Sequence, residues 1–188
     1  MKAQKQLIFY HSILDVLSEA GCPFCRFLKE YQAVSVQNRT DRTISHLCSF
    51  HTWALAAVQN ALTVSRVFID LLEDTSSESD EKPVCGICSE VSAEEDRRIR
   101  EFASYIHRTD VSNWLHTDAA LCVPHGTKLK RYVQPAVAAR IDTILEEHRR
   151  QLIQELEMLC GRPQADKPGW GSLGRAAEFL VSQRGLHS

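Results

Sequence analysis

Eight residues of this chain carry ligand chemistry in a repeated spacing. Cys22 and Cys25 stand in "GCPFC", Cys48 and His51 in "LCSFH", Cys85 and Cys88 in "CGIC", and Cys122 and His125 in "LCVPH". Thiolates and imidazoles are the donors that zinc prefers, and a two-residue gap lets one short turn aim both at a single ion. Three thiolates and an imidazole per ion describe a Cys₃His site. The simplest grouping follows chain order, with Cys22, Cys25, Cys48 and His51 as one set and Cys85, Cys88, Cys122 and His125 as the other. A structural zinc site has all four positions filled by protein, whereas a catalytic one keeps a position for water, so four donors per set point to structure. The expected cofactors are therefore two zinc ions. Iron–sulfur clusters are the alternative, because thiolate-rich sets suit them too.

The order of motifs repeats. Both CxxC cysteines recur 63 positions on and both CxxH ligands 74 positions on, an insertion of 11 residues in the second half. Self-similarity of this kind marks a duplicated structural unit. We divide the chain into a first metal-binding helical repeat (1–73), an acidic linker (74–84), a second metal-binding repeat (85–161), and a loop with a C-terminal helix (162–188). The linker is the stretch "EDTSSESDEKP", whose acid, serine and proline content suits no packed element.

The elements that must position these ligands read as helices throughout, so the expected fold class is all-α: two metal-stapled helical pseudo-repeats packed with a C-terminal helix. Leu7, Tyr10, Leu14 and Leu17 recur at helical spacing, as do Phe24, Phe27, Leu28, Tyr31 and Val34. From His51 to about Leu72 the chain is apolar around its circumference, which predicts a central helix packed on several sides. Ser92 and Glu95 make a capping-box signature for a helix to about His107. A short helix is expected over Val111–Thr117. Pro135 suits the first turn of a long one that presents Ile141, Leu145, His148, Leu152, Leu156 and Leu159 and stops at Gly161. Cys160 is expected as a buried apolar thiol, and a last helix at about Ser172–Gln183.

At 188 residues and 44% hydrophobic, the chain can bury a real core. A net charge of −2 and a pI near 6.4 without a basic block disfavour binding to a phosphate backbone. His11 and Asp15 interrupt a signal-peptide pattern, Glu19 stands against a lipoprotein site, and Gln59, Asn60, Arg66 and Asp70 disqualify 53–72 as a membrane span. A cytoplasmic chain is expected, where such cysteines read as metal ligands before disulfides. His46, His116 and Asp118 are candidate catalytic groups beside the CxxH motifs, but no recognisable catalytic constellation surrounds them, so surface or supporting roles are favoured. The leading function is a non-enzymatic scaffold or adaptor that binds another protein. A redox or electron-transfer protein is the alternative, and a hydrolase with an open metal position a third reading.

The segments "GCPFCRFLKEYQ", "LCSFHTWAL", "CGICSEVSAEEDRRIREF", "LCVPHGTKL" and "GWGSLGRAAEFL" together resemble an uncharacterised bacterial family, a domain of unknown function with a duplicated CxxC and CxxH plan. The resemblance spans nearly the whole chain and implies an intracellular, mostly helical protein; it brings no activity with it.

Overall fold

A computed structural model describes residues 17, 21–38, 46–74, 84–117, 120–160 and 171–181. Among them the fold is all-α, as expected, and no strand occurs. The helices are α1 (Pro23–Gln37), α2 (Ser49–Val58), α3 (Ala61–Asp74), α4 (Gly86–Tyr105), α5 (Thr109–Thr117), α6 (Val123–Leu129), α7 (Pro135–Cys160) and α8 (Gly171–Val181), with a 3₁₀ turn at Lys130–Tyr132. The expected first helix, Leu17 apart, lies outside the described residues, as do most of the acidic stretch and the loop with Pro163, Pro168 and Trp170. Among the described residues no helix is long and apolar enough to cross a membrane.

The chain forms two compact units. Unit one joins residues 1–27 to 97–187, and unit two comprises 28–96. Two helices therefore contribute to both: α1 gives its first turn to unit one, and α4 gives its first half to unit two.

The core of unit one gathers Phe24 from α1, Ile99, Phe102 and Ala103 from α4, Val111, Trp114 and Leu115 from α5, Leu121, Leu129 of α6, and Ile141 and Ile144 of α7. Phe24 meets Phe102 edge to face at 5.2 Å, and Phe102 meets Trp114 likewise at 5.9 Å, arrangements that put a positive ring edge against a negative ring face. The helices α6, α7 and α8 pack on one another. Gly126 permits the close approach of α6 to α7, since a Cβ there would lie 3.0 Å from a Leu145 methyl.

Unit two buries Leu28, Gln32 and Val36 of α1, an i, i+4, i+8 stripe, together with Leu47, Leu55, Val67, Ile87 and Val91. The expected single helix from His51 to Leu72 is broken into α2 and α3. Gln59 leaves the helix to donate its side-chain amide to the carbonyls of Val36 and Gln37 at the end of α1. Asn60 then caps α3 through its Oδ1, which accepts from the Thr63 N–H at 3.0 Å. Nor is this segment packed all round, because Trp53 is 75% exposed and Leu72 is 72% exposed, with Val58, Leu62 and Ile69 also in solvent.

Two further expectations are corrected. Ser92 and Glu95 do not cap a helix, since α4 already begins at Gly86 and runs past them, with Glu95 buried on its inner side. Cys160 is exposed at the end of α7, not buried. The other long-range helix expectations hold closely, α7 starting at Pro135 and ending at Cys160.

Candidate metal centres

Each of the four motifs sits at a helix N-terminus. Cys48 and Cys122 are the residues that precede α2 and α6, with nearly the same backbone angles (φ −73°, ψ 163° and φ −79°, ψ 158°). Cys22 and Cys85 likewise stand immediately before α1 and α4. The second ligand of each motif falls three residues later, in the first helical turn, where it rises on the same side as the first.

These motifs gather into two four-donor sets. Site one, within unit one, joins Cys22, Cys25, Cys122 and His125; site two, within unit two, joins Cys48, His51, Cys85 and Cys88. All eight expected residues are brought into sets, but not in the expected grouping. The CxxC of each half meets the CxxH of the other half. The reason lies in helix length: α1 advances the chain by about 22 Å and α4 by about 30 Å at 1.5 Å per residue, so each CxxC is left behind by its own helix before the following CxxH arrives.

In each set the four donor atoms lie within 4.8 Å of one another. In site one, His125 Nδ1 stands 3.0 Å from Cys122 Sγ, 3.3 Å from Cys25 Sγ and 3.5 Å from Cys22 Sγ, and Cys25 and Cys122 sulfurs are 3.6 Å apart. In site two, His51 Nδ1 stands 3.2 Å from Cys48 Sγ and 3.4 Å from the sulfurs of both Cys85 and Cys88, with Cys48 and Cys88 sulfurs 3.7 Å apart. A tetrahedral ion with metal–sulfur bonds of about 2.3 Å and metal–nitrogen bonds of about 2.0–2.1 Å has sulfur–sulfur edges near 3.8 Å and sulfur–nitrogen edges near 3.6 Å. The donor sets fit such an ion.

Protonation tells the same story. Three sulfurs this close cannot all ionise unaided. In site one, hydrogen bonds from Cys122 and Cys22 hold the Cys25 thiol far below its ordinary range, and bonding with Cys22 and Cys25 drives Cys122 far above it. In site two, burial and the neighbouring Cys85 and Cys48 push Cys88 up to about 12. Burial opposes ionisation of Cys48 too, but there the His51 backbone and the Cys88 and Cys85 hydrogen bonds prevail and lower it. Burial lowers the His51 imidazole, favouring the neutral ring that a metal ligand must be. A divalent cation held by these residues would supply the positive charge that lets all the thiolates form.

Both imidazoles are enclosed, His51 being 2% exposed and His125 fully buried. His125 lies against Phe24, ring centroids 5.6 Å apart. His51 Nε2 is 2.6 Å from the side-chain amide of Gln32. The atom facing it is the Gln32 amide nitrogen, which donates to the ring nitrogen; with a metal on Nδ1 the ring proton would sit on Nε2, and a half-turn of the amide would present Gln32 Oε1 as its acceptor, the support that fixes a ligating imidazole's tautomer and orientation. Site two is further tied by the backbone, where the Gly86 N–H donates to the His46 carbonyl at 3.1 Å and so joins the CxxC turn to the CxxH turn.

Gln32 was not singled out by motif. Its signal was a polar residue in register with Leu28 and Val36 on the buried stripe of α1. Of the candidate catalytic groups, His116 is exposed at the end of α5, where its carbonyl accepts from Arg140, and Asp118 lies outside the described residues. His148 is half-buried, edge to face with Phe179 at 5.9 Å. Compared with protein-family models, with curated proteins and with solved structures, the chain matches none.

Proposed function

We propose that this chain is a non-enzymatic helical scaffold held by two zinc ions, and that it works by binding another protein. The observation that carries the metal half of this reading is that each set supplies four protein donors at tetrahedral spacing. Four protein donors leave no position for a reacting water, which supports structural ions over a hydrolytic centre. Their compactness supports one ion per set over an iron–sulfur cluster. A cluster distributes its protein ligands over two or more irons, so that some of them stand farther apart by an iron–iron separation. The matching N-terminal geometry at Cys48 and Cys122 supports descent of the two halves from one duplicated unit of the plan the sequence resembles.

The binding half of the reading rests on α2 and α3. Trp53, Val58, Leu62, Ile69 and Leu72 expose large apolar side chains on neighbouring helices. Apolar side chains grouped this way mark contact surfaces more often than isolated ones do, and tryptophan is the residue most enriched among those that dominate binding energy. Reduced thiols at both sites suit a cytoplasmic chain.

Elemental analysis with a visible spectrum tests the metal half. Two zinc per chain in a colourless protein is expected; a brown protein with iron and acid-labile sulfide refutes it. A photo-crosslinking side chain at position 53 or 72, compared with one at the exposed position 147, tests the other half. Crosslinked protein adducts confined to 53 and 72 are expected, and equal yields at all three refute the docking surface.

A further inference from the structure

Site one is not sealed at Cys22. Beside its sulfurs lies a cavity of about 180 Å³, lined by Cys22, Cys25 and Cys122 and by Leu152 of α7 and Phe179 of α8. His125 is buried and does not line the cavity, while Cys22 is half-buried and its sulfur is the one farthest from His125 Nδ1, at 3.5 Å. Leu152 and Phe179 are buried, but His148, Gln151, Glu155 and Glu178 line the cavity too, so the side facing the cysteines is part apolar and part polar. Its one cationic side chain, Arg175, is tied to Glu155 at 2.5 Å.

This combination has a specific chemistry. A divalent ion with three thiolates and a neutral imidazole carries a net charge of −1, spread over electron-rich sulfurs. Anions are repelled, and the guanidinium that would receive them is already paired. A metal-bound thiol is held as thiolate, the nucleophilic form of cysteine. A dry apolar cavity of about 150 Å³ takes a benzene-sized guest, so this one, of similar volume and mixed lining, has room for a small neutral molecule that carries a polar group.

We propose that site one is a modification site, at which Cys22 adds to a small, neutral, soft carbon electrophile of the α,β-unsaturated carbonyl class seated in this cavity. The inference rests on the metal reading above. The Cys22 Sγ lone pair forms a bond to the β-carbon, and the carbon–carbon π pair moves onto the carbonyl as an enolate. The enolate takes a proton from water and leaves hydroxide, so the product is a thioether. A thioether is a neutral and weaker donor than a thiolate, so the ion keeps Cys25, Cys122 and His125 and is readily lost. Alkylation is thereby coupled to the packing of α1 and α6, whose N-terminal residues supply the set.

The test uses the full chain with the exposed thiol removed (Cys160→Ser) and methyl vinyl ketone as probe. Metal is measured first, and fewer than two ions per chain overturns the metal reading and this inference together. With two ions present, intact mass and peptide mapping are expected to show one adduct, on Cys22. Its rate should saturate with reagent, and one ion should be released. Filling the cavity with Leu152→Trp should slow that adduct about tenfold or more, because the pre-association of reagent and thiolate is lost. Helicity, metal content and the reactivity of Cys48 and Cys88 should stay unchanged. Should Leu152→Trp not fold, a polyethylene-glycol-linked maleimide too large for the cavity replaces it, and is expected to spare Cys22 in the unsubstituted cavity. First adducts on Cys48 or Cys88, a rate linear in reagent, or equal labelling by the bulky reagent would each overturn the inference while leaving the two-metal reading standing.

Discussion

Crossed pairing of the motifs makes a stoichiometric prediction that chain-order pairing reverses. Cys25→Ser with His125→Ala removes two donors from site one and none from site two, so one ion per chain should survive challenge with a chelator. Cys25→Ser with His51→Ala removes one donor from each site, so no ion should survive. Apparent binding free energies for structural zinc of about 10–16 kcal/mol, shared over four donors, give about 2.5–4 kcal/mol per donor, or a loss of roughly two to three orders of magnitude in affinity for each donor removed. The folding cost follows by linkage. At free metal a thousandfold above Kd, an ion bound only by the native state contributes about 4 kcal/mol, which its loss removes. His125→Ala also empties a fully buried position beside Phe24, adding about 2–4 kcal/mol for lost packing. Against the 5–15 kcal/mol stability usual for a domain, that is enough to lower the melting temperature of the altered unit by about 20–40 °C or unfold it. The assay is metal per chain after chelator challenge and gel filtration, with thermal melting followed by circular dichroism. If the first double variant retains no ion and the second retains one, the crossed grouping is wrong.

Other outcomes are expected. Gln32→Leu removes the amide that hydrogen-bonds the His51 ring and should weaken one of the two metal sites by about 10–100-fold while sparing the other, read by chelator competition. Metal affinity should rise with pH, since Cys88 and Cys122 must each lose a strongly held proton; calorimetry in buffers of different ionisation enthalpy should register proton release on binding. In the chelated protein the raised Cys88 favours the fold below the ordinary thiol range, and that contribution should vanish as pH climbs towards 12. The lowered His51 works at the other end, its contribution present above the ordinary imidazole value of about 6.5 and lost on acidification below it. Trp53→Ser and Leu72→Ser should each change stability by less than about 0.5 kcal/mol because both side chains stand in solvent, and acrylamide should quench Trp53 far more than buried Trp114. Gly126→Val should cost about 2 kcal/mol or more by forcing α6 off Leu145, visible in a urea melt.

The ligands were legible because ligand geometry is local. A gap of two residues at a helix start fixes where both donors point, and nothing distant changes that. Which pair meets which was not legible, because partner choice depends on where α1 and α4 carry the chain, and identical motif types fit either grouping. The break at Gln59–Asn60 has the same character: Gln59 is drawn out of the helix by carbonyls at the end of α1, a tertiary contact that no periodicity reports. Apolar residues on all sides of 53–72 promised burial, yet hydrophobicity states only that a side chain gains by leaving water, not that this chain supplies the cover. The capping-box pattern at Ser92 and Glu95 was overruled by an earlier start at Cys85, where a ligand thiol stands in the place of a capping hydroxyl.

Crossed pairing also ties the two halves of the sequence to each other. In chain-order pairing each ion would close a loop within its own half, and the halves would depend on each other only through packing. As found, each unit draws its ligands from both halves of the sequence, with α1 and α4 contributing turns to both units. Loss of either ion should therefore disturb both halves of the chain. That coupling gives alkylation at Cys22 a reach beyond one thiol: a change at the start of α1 loosens the CxxH turn of the second half, and with it the packing of α6 against α7 and α8.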